Sequence, residues 1–336
     1  MRAAVIGGGF AGLSFARSFP GDVTVYNVGV SGTAGAVSLP AVKAFKLQEF
    51  FPEECVLYKA RSVKVDAYGS VLERSFKDPV SYVMNVKGML AKMAEGLRVE
   101  ERRIRPGDVP GLLEANDLVV GADGVFSSVR SYLGVPPPGG DDLHVGVQVD
   151  VKVPNPEDYA DVEVHFNELS PKGYVWSFRI GEREFRAGFG VPAYLKVGLA
   201  DRLNEVLKFL FKKGYATTGR PFGGFIPTSK PLEGLRYGRI HLVGDSAGMC
   251  DPLTGGGMVY ALAAGRALAE NDVKALRGIQ GFLADRYLLK GKILAFKPGD
   301  WRRLVGLADK LPISPPLLTP SRVSGLAWRL LSRCLP

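Results

Sequence analysis

The feature that most restricts the fold is a run of glycines at residues 7–12, Gly7-Gly8-Gly9-Phe10-Ala11-Gly12. It lies between an apolar segment (RAAVIG, 2–7) and a segment with helical spacing (FAGLSFARSF, 10–19). The pattern G-x-G-x-x-G in that setting predicts a strand, a tight turn and a helix. Gly7 permits the turn, Gly9 lets the backbone approach a pyrophosphate, and Gly12 lets the helix pack closely on the strand. The helix N-terminus adds N–H groups and positive partial charge for the phosphates. Residues 22–26 (DVTVY) complete a βαβ unit. About twenty residues on, where an acid would hold ribose hydroxyls, the chain has Asn27. Asn can still bond a hydroxyl, without charge assistance.

The rest of the chain reads as an α/β protein with an insertion. Residues 62–76 predict a hairpin around Tyr68-Gly69, 85–96 a helix and 117–122 a buried strand. The breaker cluster PPPGG, 136–140, marks a crossing between domains. Antiparallel strands follow at 144–153, 162–166, 174–180 and 184–191, then a helix at 201–213. Residues 239–243 return to the buried strand type, ahead of a helix at 257–269 and a helical tail. The expectation is a Rossmann-like nucleotide-binding domain (1–135 and 220–275), an inserted, mostly antiparallel β substrate domain (136–219) and a helical C-terminal region (276–336).

Two further motifs put an Asp at the end of an apolar strand beside glycines: Gly121-Ala122-Asp123-Gly124 and Gly244-Asp245-Ser246-Ala247-Gly248. Asp245 could accept hydrogen bonds from the ribityl hydroxyls of a flavin. Gly255, Gly256 and Gly257 precede a helix, and their amides could meet the electron-rich edge of its ring. Either motif alone is equally an Asp capping a helix. All three, in this order, point to FAD.

Together these motifs resemble the flavoproteins that include the aromatic hydroxylases and the geranylgeranyl reductases. The strings GDSAGMCDPLTGGGMVYALAAGRALA (244–269), PKGYVWSFRIGEREFRAGFGV (171–191) and GGFIP (223–227) resemble the geranylgeranyl reductases in particular. The resemblance covers most of residues 1–270 and implies FAD and a prenylated lipid substrate. In that family a Tyr-x-Trp-x-Phe segment followed by Gly-x-Gly shapes the isoprenoid cavity, which maps here to Tyr174, Trp176, Phe178, Gly188 and Gly190. Archaeal members carry a Cys-Ala-Gly segment near the flavin, and Thr33 takes the place of that Cys. The three aromatic residues alternate, so they share one face of a strand. That face is either a wall for a prenyl chain or the core of the β domain.

No general acid stands out, and the lone His165 on VEVHF reads as structural. Three separated cysteines, Cys55, Cys250 and Cys334, favour reduced thiols, and no metal site is expected. The net charge is +9, and residues 281–336 hold ten Lys or Arg against three Asp. Within the tail, 321–335 (SRVSGLAWRLLSRCL) interleaves apolar residues and arginines. It suits either a membrane interface or a helix with a solvated basic face. No stacking-and-basic groove suggests nucleic acid. The absence of a leader-like segment and of a long apolar run favours a cytoplasmic protein, peripheral at the membrane face. The expected activity is reduction of isoprenoid double bonds, with NADPH or a ferredoxin as electron donor and no oligomeric state implied. An aromatic hydroxylase-type monooxygenase and a degenerate non-catalytic copy remain as alternatives.

Overall fold

The computed structural model of the 336-residue chain describes residues 1–29 and 35–310. Thr33, Cys334 and the 321–335 stretch lie outside these residues. The first strands are β1 (Arg2–Ile6), β2 (Asp22–Asn27), β3 (Ala36–Ser38), β4 (Val56–Ala60), β5 (Ser62–Ala67), β6 (Ser70–Ser75), β7 (Ser81–Met84), β8 (Arg98–Glu101) and β9 (Leu118–Gly121). They are followed by β10 (Leu143–Lys152), β11 (Val162–Phe166), β12 (Tyr174–Arg179), β13 (Glu184–Pro192), β14 (Ala216–Thr217), β15 (Phe222–Pro227), β16 (Arg236–Tyr237) and β17 (Ile240–Leu242). The helices are α1 (Phe10–Ser18), α2 (Leu39–Ala44), α3 (Val86–Ala94), α4 (Val109–Ala115), α5 (Ser128–Tyr132), α6 (Leu199–Leu210), α7 (Met258–Ala269), α8 (Val273–Ile293) and α9 (Pro298–Lys310).

The first sheet has the order β16-β17-β9-β1-β2-β8 and is parallel except at β16. Its central strands are nearly continuous apolar runs, as burial on both faces requires. Two helices cross with little separation, because α7 places Gly265 over α1, where a Cβ would stand 2.3 Å from the Ala11 carbonyl oxygen. The Ser14 hydroxyl donates to the Leu262 carbonyl across that crossing at 2.7 Å.

The second sheet has the order β14-β10-β13-β12-β11-β5-β6, with β15 also paired to β10. It is antiparallel except where β11 runs parallel to β5. One face packs Val175, Phe185, Ala187, Phe189 and Val191 against Leu203, Val206, Leu207 and Leu210 of α6. Those α6 residues follow the i, i+3, i+4, i+7 stripe that makes a helix adhere to a sheet. The opposite face carries Tyr174, Trp176 and Phe178. A third sheet, β3-β7-β4, lies beside the first. At the C-terminal end, α9 sets Trp301 and Val305 against Ala67 and Leu72.

Strand pairing differs from the expected division of the chain. The hairpin β5–β6 and the strand β15 both belong to the second sheet, not to the nucleotide-binding unit. The hairpin is recruited by β11, with Val63 opposite Val162. Local alternation identifies a strand but not its long-range partner. The mixed α/β architecture, with a parallel sheet, an inserted antiparallel sheet and C-terminal helices, is the one expected.

Candidate functional site

A cavity of about 830 Å³ opens where the chain leaves β1, β9 and β17. Ligands of open α/β sheets bind in this crevice, outside the carboxyl ends of the strands. Its wall includes Gly7, Gly9, Asn27, Asp123, Gly124, Asp245, Gly255, Gly256 and Gly257. The three turns singled out in the sequence therefore converge on one space.

Their parts differ. Gly7 has φ +104°, and a Cβ there would lie 2.3 Å from the Ala122 carbonyl oxygen. Gly12 and Gly244 stand behind the wall. A Cβ on Gly12 would be 2.0 Å from the Gly7 carbonyl oxygen, and one on Gly244 would be 2.7 Å from the Ala11 side chain. Both serve close packing of α1. At Gly9 nothing lies within 4 Å of a Cβ position, so the space above it is free for a ligand. Gly9 also caps α1 without a side-chain bond, which leaves the first N–H groups of that helix to an acceptor in the cavity.

Asn27 is committed to the turn. Its Oδ1 accepts from the Gly8 N–H at 3.2 Å and its Nδ2 donates to the Gly29 carbonyl at 2.9 Å. Asp123 accepts from the Ser128 N–H at 2.6 Å, so it also helps to start α5. Burial raises its pKa against the pull of the bonds around Ser127 and Ser128. Its Oδ1 is buried without a partner. Asp245 is half-buried, and burial pushes its pKa up to about 6. Two acceptors facing one cavity, with few protein donors, fit a ligand rich in hydroxyls.

Four further charged residues stand in the cavity wall. Arg102 and Arg103 follow β8, and the Arg102 N–H donates to the Asn27 carbonyl at 3.1 Å. The arginine pair was visible in EERR, but nothing local tied it to the glycine turn. Asp251 and Arg286 form an ion pair at 2.7 Å, both almost fully buried. Arg286 and Lys290, one helical turn apart on α8, are only 4% and 5% exposed. Lys290 donates to the Thr228 carbonyl and hydroxyl, each at 2.9 Å, and to Asp142 at 3.2 Å. Burial lowers the pKa of Lys290 and of its neighbour His144.

A second pocket of about 130 Å³ adjoins the first, and Thr254 and Gly255 line both. Tyr174, Trp176, Phe166, Ile226, Leu294 and Trp301 supply much of its apolar surface, and Gly190 lies in its wall. Phe178 and Gly188 are outside it. Phe178 stacks on Trp176 with ring centroids 6.4 Å apart, one step further along the strand. Gly188 allows a close strand approach, since a Cβ there would meet the Val147 carbonyl oxygen at 2.3 Å. The Trp176 ring lies over Gly190 and Gly146, within 3.5 Å of their Cβ positions. Its Nε1 donates to Gln148 Oε1 at 3.2 Å. Tyr174 donates its hydroxyl to the Thr254 carbonyl, which ties the β sheet to the wall between the two spaces. Burial pushes the Tyr174 pKa well up. His165, away from both spaces, is buried and bonded to Glu163 at 2.9 Å. Among the described residues no cluster suits a metal ion, and no helix is long and apolar enough to cross a membrane.

Glycine turns on a parallel sheet, with an antiparallel sheet inserted beside the cavity, define an FAD-binding fold. A geranylgeranyl bacteriochlorophyll reductase-like protein from Thermoplasma acidophilum has this fold. Its crystal structure matches at a TM-score of 0.74 with 16% identity, covering 97% of this chain and 95% of that one. 2-Methyl-3-hydroxypyridine-5-carboxylic acid oxygenase matches at 0.58 with 18% identity, covering 97% of each chain. In sequence, the chain is similar to the digeranylgeranylglycerophospholipid reductases. It is 30% identical to the enzyme of Methanothrix thermoacetophila over an alignment of 243 positions that covers 65% of this chain and 59% of that protein. The chain thus spans about three fifths of the length of that relative. No family model matches the chain.

Proposed function

We propose that the protein is an FAD-dependent reductase of isoprenoid carbon–carbon double bonds, acting on geranylgeranyl chains of membrane-lipid precursors or on a related prenyl quinone. The observation that carries this reading is the shared wall. The Thr254–Gly255 turn borders both the glycine-lined cavity and the aromatic pocket. A ring at that turn and a chain along Tyr174, Trp176 and Trp301 would be neighbours. The kinship with digeranylgeranylglycerophospholipid reductases supports the substrate class.

In this reading Gly9 and the first turn of α1 hold the pyrophosphate, with Arg102 and Arg103 as nearby positive charge. Asp245 and Asp123 accept from ribityl hydroxyls. The amides of Gly255 to Gly257, at the N-terminus of α7, face the ring edge where negative charge develops on reduction. Reduced FAD held there would supply the hydride equivalent for one alkene carbon, with a proton going to the other, and an external donor, NADPH or a reduced ferredoxin, would restore the electron pair. The aromatic pocket orients the chain and excludes water. Tyr174 is engaged with the Thr254 carbonyl, so its hydroxyl positions the turn.

The test is to purify the protein, record its visible spectrum, reduce the bound flavin chemically and add geranylgeranyl lipid without oxygen. Reoxidation with saturation of the lipid is expected. Reoxidation by oxygen alone would overturn the reading.

A further inference from the structure

We propose that the Arg286–Asp251 ion pair is a positioning device that closes the Asp251–Gly257 turn while each partner cancels the bias the other's charge would put on the reduction potential of the bound cofactor. This rests on the FAD reading above and deepens it. Asp251 is the hub of the turn. Its N–H donates to the Gly256 carbonyl at 3.1 Å, its carbonyl accepts from the Gly255 N–H at 2.8 Å, and its Oδ1 accepts from the Leu253 N–H at 3.0 Å. Arg286 arrives from α8 and grips the carboxylate as a fork, Nε to Oδ1 at 2.8 Å and Nη2 to Oδ2 at 2.7 Å. Both residues also line the cavity.

A planar guanidinium matches a carboxylate in this way, and the paired charges nearly cancel. Removal of either partner takes this countercharge from the other in a region of low dielectric, where a change of net charge acts strongly on its surroundings. Charge near the flavin ring tunes its electronics. The two partners must therefore shift the potential in opposite directions. The net negative charge left by loss of Arg286 disfavours the electron-rich reduced cofactor, and the net positive charge left by loss of Asp251 favours it. A pair that only braced the turn would shift it in the same direction, or not at all, when either side was lost.

The experiment equilibrates the FAD-loaded protein with a redox dye of known potential. Asp251→Asn is expected to favour the reduced cofactor by at least tenfold, about 30 mV upward for a two-electron couple. Arg286→Met is expected to favour the oxidised cofactor by a similar factor. The double variant D251N/R286M returns to within threefold of the parent. Shifts of the same sign, or single-variant shifts under threefold, overturn the proposal. If neither single variant folds, the parent and the double variant decide. Agreement within threefold supports the proposal, and a larger difference overturns it. A parent protein with no flavin spectrum sinks the FAD reading itself, an outcome distinct from these.

Discussion

The glycine-lined cavity and the aromatic pocket share Thr254 and Gly255, but the chain builds them by opposite means. The cavity is mostly main chain: turns leaving β1, β9 and β17, and the glycines ahead of α7. The pocket is mostly side chain, drawn from β10, β11, β12 and β15 and from α8 and α9. A main-chain wall needs small residues at set positions and has no slack, because backbone atoms cannot rotate away. A side-chain wall has rotamers to adjust and tolerates changes of shape at constant volume. The two spaces should therefore fail differently when a residue is altered.

The largest effect is expected on the main-chain side. Gly12→Val would force a branched side chain into a space where even a Cβ stands 2.0 Å from the Gly7 carbonyl oxygen. The strand and α1 would have to part, at a cost of about 3 kcal/mol or more. A fall in the urea midpoint with loss of bound flavin is the expected result. A normal midpoint would mean that the turn yields, which would remove the contrast between the two walls.

Next comes Asp245. Burial raises its pKa from the ordinary value of 3.8 to about 6. The folded cofactor-free protein therefore holds this proton more tightly than the unfolded chain does. Its contribution to stability is complete below pH 4 and is lost as the pH rises through 6, at most roughly 3 kcal/mol. Asp245→Asn should remove that slope, so the cofactor-free variant should be the more stable of the two at pH 7. Urea midpoints from pH 4 to 7 measure this. Parallel curves for parent and variant would show that the carboxylate is better solvated than its place in the wall implies.

The same contrast explains what the sequence made legible. The cavity could be read because its residues are close together in three local strings. Each glycine spacing carries its own geometric reason, as at Gly7, Gly9 and Gly12. The pocket could be read only in part. Alternation put Tyr174, Trp176 and Phe178 on one face of a strand, but not whether that face met a core or an opening. That was decided by α6, which covers the opposite face at Val175 and Phe189. Arg286 and Asp251 are 35 positions apart and meet only in the folded chain. The hairpin β5–β6 joined an unforeseen sheet for the same reason: strand partners are chosen by tertiary contact. Asn27 was noticed as a departure, yet its bonds to Gly8 and Gly29 required the folded turn.

The smallest effect, and the most discriminating, is expected at Trp176. It is 8% exposed, so exposure alone would place it in the core. It is nonetheless absent from the cluster around Phe189 and α6, and it keeps a hydrogen bond to Gln148. An indole with its N–H satisfied and its ring edge on a pocket serves shape more than cohesion. Trp176→Leu should leave the flavin spectrum intact and lower the stability measured by urea unfolding by no more than about 1–2 kcal/mol. Reoxidation of the reduced protein by geranylgeranyl lipid should slow about tenfold, equivalent to ~1.4 kcal/mol of lost orientation. If Trp176 were core, the order would reverse: stability would fall by about 3–5 kcal/mol and the rate per folded molecule would hold. Measuring both quantities on one preparation decides which side of the sheet faces the substrate.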